Sequence, residues 1–319
     1  MYSIILVLAT IFSIVFFESP NKLSLDGTSE AVLSVSGYDL RGIRDHWVER
    51  ILAAGATNAY AEFLDTAENY SIDTHTHAHL IGEALYKTNG LSGIQYCDES
   101  FTFGCFHSFF GMAVDEHGVG VLKQLDEYCT ASFASRSTEC QHGIGHGILI
   151  HVGYENLVAA LDLCLSVSPL LTGGCTSGVF MEYNFLTMQD STGSMRERGE
   201  NLLYPCDALP QMYEPSCYYE QVQWWSALFF DDPKKLVALC EVVTETSNHP
   251  DSSTSCYSAL GHYTAATHNF SCSKITEVCE AVEDSVLQQL CYQGLKNMSE
   301  EHRLKAAVCR PELMYTVDN

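Results

Sequence analysis

Six cysteines in this chain each open a similar segment: Cys105-Phe-His, Cys140-Gln-His-Gly, Cys175-Thr-Ser-Gly, Cys217-Tyr-Tyr-Glu, Cys256-Tyr-Ser-Ala and Cys291-Tyr-Gln-Gly. Successive members stand 35, 35, 42, 39 and 35 residues apart. A period in that range belongs to arrays of two-helix units, because one such hairpin cannot bury its apolar face alone. The spacing therefore predicts an all-α fold of stacked helical hairpins. Seven units result if Asp73, in Asp73-Thr-His75-Thr-His77-Ala-His79, stands where the later units carry cysteine.

Most of these cysteines follow a second one that closes the helix before. Amphipathic stretches such as Val121–Cys129, Leu157–Cys164, Lys235–Cys240 and Ile275–Cys279 end in it. Neighbour pairing follows from the recurrent spacing: Cys97 with Cys105, Cys129 with Cys140, Cys164 with Cys175, Cys206 with Cys217, Cys240 with Cys256, and Cys279 with Cys291. Cys272 and Cys309 are left for each other. The second helix of each unit is poor in charge, which suggests burial on more than one side. It is also rich in glycine: Gly143, Gly145, Gly147, Gly178, Gly261 and Gly294. Glycine inside a helix costs about 1 kcal/mol against alanine, so crowding between these helices is the expected reason. The other reading makes His142-Gly-Ile-Gly-His146-Gly partly a loop. The array is expected either as a curved solenoid or as a closed α/α toroid.

The chain divides into residues 1–19, 20–37 and 38–319. Met1 to Phe17 is almost wholly apolar, short for a membrane span and suited to a signal peptide or N-terminal anchor. A polar linker follows, and then a single helical domain, in which Ile43, Trp47, Ile51 and Leu52 fall on one helical face. Fourteen cysteines suit an oxidising compartment. Sequons at Asn69, Asn269 and Asn297 agree with a glycoprotein that is secreted or held in the secretory-pathway lumen. The formal net charge of -24 argues against nucleic acid and against anionic membranes, which need clustered Lys and Arg.

The histidines carry the functional signal. Counted from the residue that opens each second helix, His75, His107 and His142 occupy one register position, and His79, His146 and His262 another. Two histidines four apart share a helical face and can chelate one ion. If the units superimpose, His75, His79, His107, His142 and His146 converge as metal ligands. Glu182, one unit further, is the candidate carboxylate ligand or catalytic base. Imidazole suits Zn, Cu or Fe, so the expected cofactor is a divalent transition metal, and a hydrolytic or oxidative metalloenzyme is one form of the reading. The alternative is a scaffold that binds a protein or glycan, with structural histidines. A third is a pH-responsive protein without metal. His77 and His151 fall off the matched face and are expected at the surface or behind the ligands. Glu220 falls in the same register scheme, and Trp224 and Trp225 are expected in the core.

No P-loop, dinucleotide glycine pattern, His-Glu-x-x-His or Gly-x-Ser-x-Gly is present. The hairpin length resembles tetratricopeptide repeats, but the paired cysteines and the Cys-x-His start depart from them, and no function follows from that likeness.

Overall fold

A computed structural model describes residues 39–67, 74–167, 172–189, 196, 201–230, 232–297 and 309. The expected signal peptide, the linker, Asp73 and the Asn69 sequon lie outside the described residues. The described residues form helices and turns and contain no strand. The helices are α1 (Leu40–Ala54), α2 (Ala56–Thr66), α3 (Thr74–Asn89), α4 (Ser100–His117), α5 (Leu122–Phe133), α6 (Ser137–Val152) and α7 (Leu157–Cys164). They continue as α8 (Cys175–Gln189), α9 (Glu214–Leu228), α10 (Pro233–Thr246), α11 (Pro250–Thr267), α12 (Cys272–Glu280) and α13 (Ser285–Gln293).

Local chemistry sets where these helices begin. The Asp39 carboxylate accepts from Gly42 N at 2.8 Å, and Asp232 accepts from Lys235 N at 3.1 Å ahead of Pro233. Asp284 accepts from the amides of Val286 and Leu287. Such caps satisfy amides that have no partner inside the helix. The second helices consequently do not all open at their cysteines. In α9 and α11, Pro215 and Pro250 stand in the first turn and set the start, so Cys217 and Cys256 fall further in.

All seven disulfides join the expected cysteines: six the neighbours paired by spacing, and Cys272–Cys309 the pair that remained. Their Cα separations run from 4.9 to 5.7 Å, within the range an unforced bridge requires. No cysteine among those described is free. Most bridges tie the second helix of a unit to the helix or turn before it, at nearly one place along each unit.

The second helices pack on one another in chain order: α3 on α4, α4 on α6, α6 on α8, α8 on α9, α9 on α11, and α11 on α13. Glycine makes the close packing sterically feasible. A Cβ on Gly145 would lie 2.0 Å from the carbonyl oxygen of Cys175, and one on Gly178 would lie 1.9 Å from that of His142. The pair is reciprocal, since each glycine meets the carbonyl one turn before its partner. Gly261 and Gly294 repeat the contact between α11 and α13. Backbones this close admit no side chain. The segment from His142 to Gly147 is accordingly helix throughout, not loop.

Apolar side chains from both helices of each unit fill the space between them, with Trp47, Phe63, Phe106, Phe109, Phe110, Trp224 and Trp225 almost completely buried. Leu52 departs from the expected face and is 72% exposed, whereas Trp47 and Ile51 are buried. No single described helix is long and apolar enough to cross a membrane.

Candidate metal centre

Packing of α3 on α4 and of α4 on α6 brings the matched histidines together. His75 and His79 lie on α3, His107 on α4, and His142 and His146 on α6. They form two sets of three, His75–His79–His107 and His107–His142–His146. Within each set the ligand nitrogens all lie within 4.8 Å of one another, and His107 belongs to both. Ring centroids are 4.8, 5.1 and 5.2 Å apart in the first set. They are 5.5, 4.8 and 4.9 Å apart in the second. Imidazoles on one tetrahedral ion, with metal–nitrogen bonds of about 2.0–2.1 Å, place their centroids about 5 Å apart.

Each ring is held by its surroundings. His75 Nδ1 donates to the carbonyl of Phe101 at 2.7 Å, which fixes the tautomer and turns Nε2 toward His79 Nε2, 3.1 Å away. That carbonyl is presented by Phe101, Thr102 and Phe103, three consecutive residues with φ of 50°, 58° and 57°. Left-handed backbone at non-glycine residues costs roughly 1–2 kcal/mol each, and the strain lies directly beside the cluster. His146 Nδ1 donates to Glu182 Oε2 on α8 at 2.8 Å. Its Nε2 is buried and meets no hydrogen-bonding partner. His107 Nδ1 is in the same condition.

Burial pushes the pKa values of His79, His107 and His142 well below the ordinary imidazole value, and repulsion from neighbouring imidazoles adds to it. The rings are therefore neutral at physiological pH, the form that binds metal. His107 and His146 are buried, whereas His75, His79 and His142 keep some exposure, so solvent reaches the cluster. Such a group of histidines can coordinate a metal ion. Three nitrogen donors with a position left open suit an ion that acts on a substrate.

Glu182 does not enter the cluster as a sixth ligand in this arrangement. It orients His146 from behind, as carboxylates commonly orient metal-bound imidazoles. His77 is a correction to the sequence reading. It is completely buried, not superficial, and its Nε2 accepts from Trp47 Nε1 at 2.8 Å. Its ring sits edge-on to Phe63, tying α1 and α2 to α3. His262 on α11 bonds the Tyr219 hydroxyl through Nδ1 at 2.8 Å.

A polar group that sequence reasoning left unassigned lies on the later helices. The Glu220 carboxyl is buried and accepts from the Tyr263 hydroxyl. Burial pushes it up to about 8, although hydrogen bonds from Tyr263 and Ser177 oppose the shift. The repeat register included Glu220, but nothing in the spacing pairs it with Tyr263. No protein-family model matches the chain, and neither a curated protein nor a solved structure resembles it significantly.

Proposed function

We propose that this protein binds a divalent transition metal, of the Zn, Cu or Fe class, through His75, His79, His107, His142 and His146. In this reading Glu182 is the carboxylate that orients His146. One observation carries the proposal. His146 Nε2 and His107 Nδ1 are buried, lie among neutral imidazoles and meet no hydrogen-bonding partner. A buried polar atom without a partner costs about 1–3 kcal/mol, and an ion bonded to these nitrogens removes that cost. Two imidazoles four residues apart on α3, two on α6 and one between them on α4 make a donor set that hydrogen bonding within the repeat does not explain.

The fold is proposed as a strongly curved array of hairpins. One contact that skips a neighbouring unit supports curvature: Thr172 Oγ1 reaches Ser255 Oγ at 3.4 Å. Seven disulfides and the exposed sequon residue Asn269 support a secreted or lumenal location.

Metal content tests the reading. The chain is expressed in an oxidising host with transition metals supplied, passed through gel filtration, and measured by inductively coupled plasma mass spectrometry. The wild type is expected to retain a transition metal. A variant with all five histidines replaced by Gln is expected to retain none while keeping its helix content and seven disulfides. Wild-type protein with no metal above background contradicts the proposal and favours the scaffold.

A further inference from the structure

We propose that the cluster is a dinuclear centre, holding two divalent transition-metal ions bridged by the imidazole of His107. The inference rests on the metal-binding reading above and deepens it. The five rings divide into two sets of three, not one set of five, and His107 is the shared member. Ligand atoms on one ion bound at about 2.0–2.1 Å lie no more than about 4.2 Å apart, so one ion cannot collect five nitrogens that form two separate sets. Each set instead offers one ion three nitrogens with centroid spacings near 5 Å.

A ring nitrogen binds one ion, so His107 serves both sets only through both of its nitrogens. Its position suits that use. It is central, with the other four rings all within 5.5 Å of it between centroids. It is buried, and its Nδ1 meets no partner. Two of the other rings are oriented through Nδ1: His75 by the Phe101 carbonyl and His146 by Glu182. Neutral His107 carries one ring proton. Binding the second ion replaces that N–H bond with a nitrogen–metal bond, and the proton leaves to solvent.

Counting ions and their coupling tests this. The full chain, stripped with a chelator, is reloaded with Zn2+, gel-filtered and assayed for bound metal. Two Zn2+ per chain are expected for the wild type, and one each for His75→Gln/His79→Gln and His142→Gln/His146→Gln, all with seven disulfides intact. Reloading with Cu2+ is expected to give a full electron paramagnetic resonance signal at one ion per chain. At two ions the signal per copper should drop several-fold, through coupling across the shared imidazolate. Saturation at one ion overturns the dinuclear centre and leaves the metal reading standing. Two ions with undiminished signal overturn the bridge. No retained ion overturns the metal reading and this inference with it. Two ions in every variant place them on the acidic surface and overturn both.

Discussion

The Glu182 carboxylate on α8 accepts the Nδ1 proton of His146 on α6 at 2.8 Å, and this one contact decides which way the imidazole faces. With Nδ1 committed, the lone pair of Nε2 points into the cluster. Glu182→Gln keeps the size and still accepts a hydrogen bond, but it withdraws the negative charge behind a metal-bound imidazole. Metal affinity is expected to fall about 10–100-fold, with the unfolding midpoint of the metal-free protein little changed. Competition with a chromophoric chelator measures it.

In the metal-free protein, His79, His107 and His142 have pKa values well below 6.5 in the fold. The unfolded chain then binds more protons than the folded one once pH drops below about 6.5. Stability is therefore fully present above that pH and is lost progressively as pH falls toward the depressed folded values. Three such groups allow a loss of up to about 4 kcal/mol per pH unit. Denaturant unfolding of the metal-free, disulfide-intact protein between pH 7.5 and 5 checks the sign.

Glu220 has the opposite sign. Its carboxyl is raised from 4.5 to about 8, so the folded state holds a proton that the unfolded chain has released. That contribution is fully present below about pH 4.5 and is lost as pH rises through 8. Glu220→Gln mimics the protonated form. Its stability relative to wild type is expected to improve with rising pH, by about 1.4 kcal/mol per unit at most. A difference that stays constant from pH 5 to 8 would contradict it.

Gly145→Ala places a methyl group 2.0 Å from the Cys175 carbonyl oxygen, which belongs to backbone and cannot swing aside. Overpacking of this kind costs about 1–3 kcal/mol. It also pushes α6 away from α8, so the His146–Glu182 contact should loosen and metal affinity fall. Gly120→Ala, which meets nothing within 4 Å, is expected to change stability by less than about 0.5 kcal/mol.

Much of the fold and the cluster could be read from register. A cysteine recurring at one place along each unit marks equivalent positions. Disulfides between neighbours follow, as does the convergence of His75, His79, His107, His142 and His146, because stacking preserves register. What escaped reading does not repeat. The Trp47–His77 bond joins α1, which precedes the periodic units, to α3, where no cysteine marks the alignment. Helix starts follow Pro215, Pro250 and the aspartate caps, whose distance from the cysteine varies from unit to unit. The Tyr263–Glu220 bond pairs two different register positions, and the left-handed turn at Phe101–Phe103 contains no glycine to announce it. Glu182 was legible as a residue near the cluster but not as the partner of Nδ1, since that depends on side-chain direction.

Anomalous diffraction from crystals loaded with Zn2+ tests the central claim most directly. The expected result is strong anomalous density bonded at about 2.0–2.1 Å to imidazole nitrogens of His107 and its four neighbours on α3 and α6. Density confined to surface carboxylates, with the five rings bound to no ion, would contradict it.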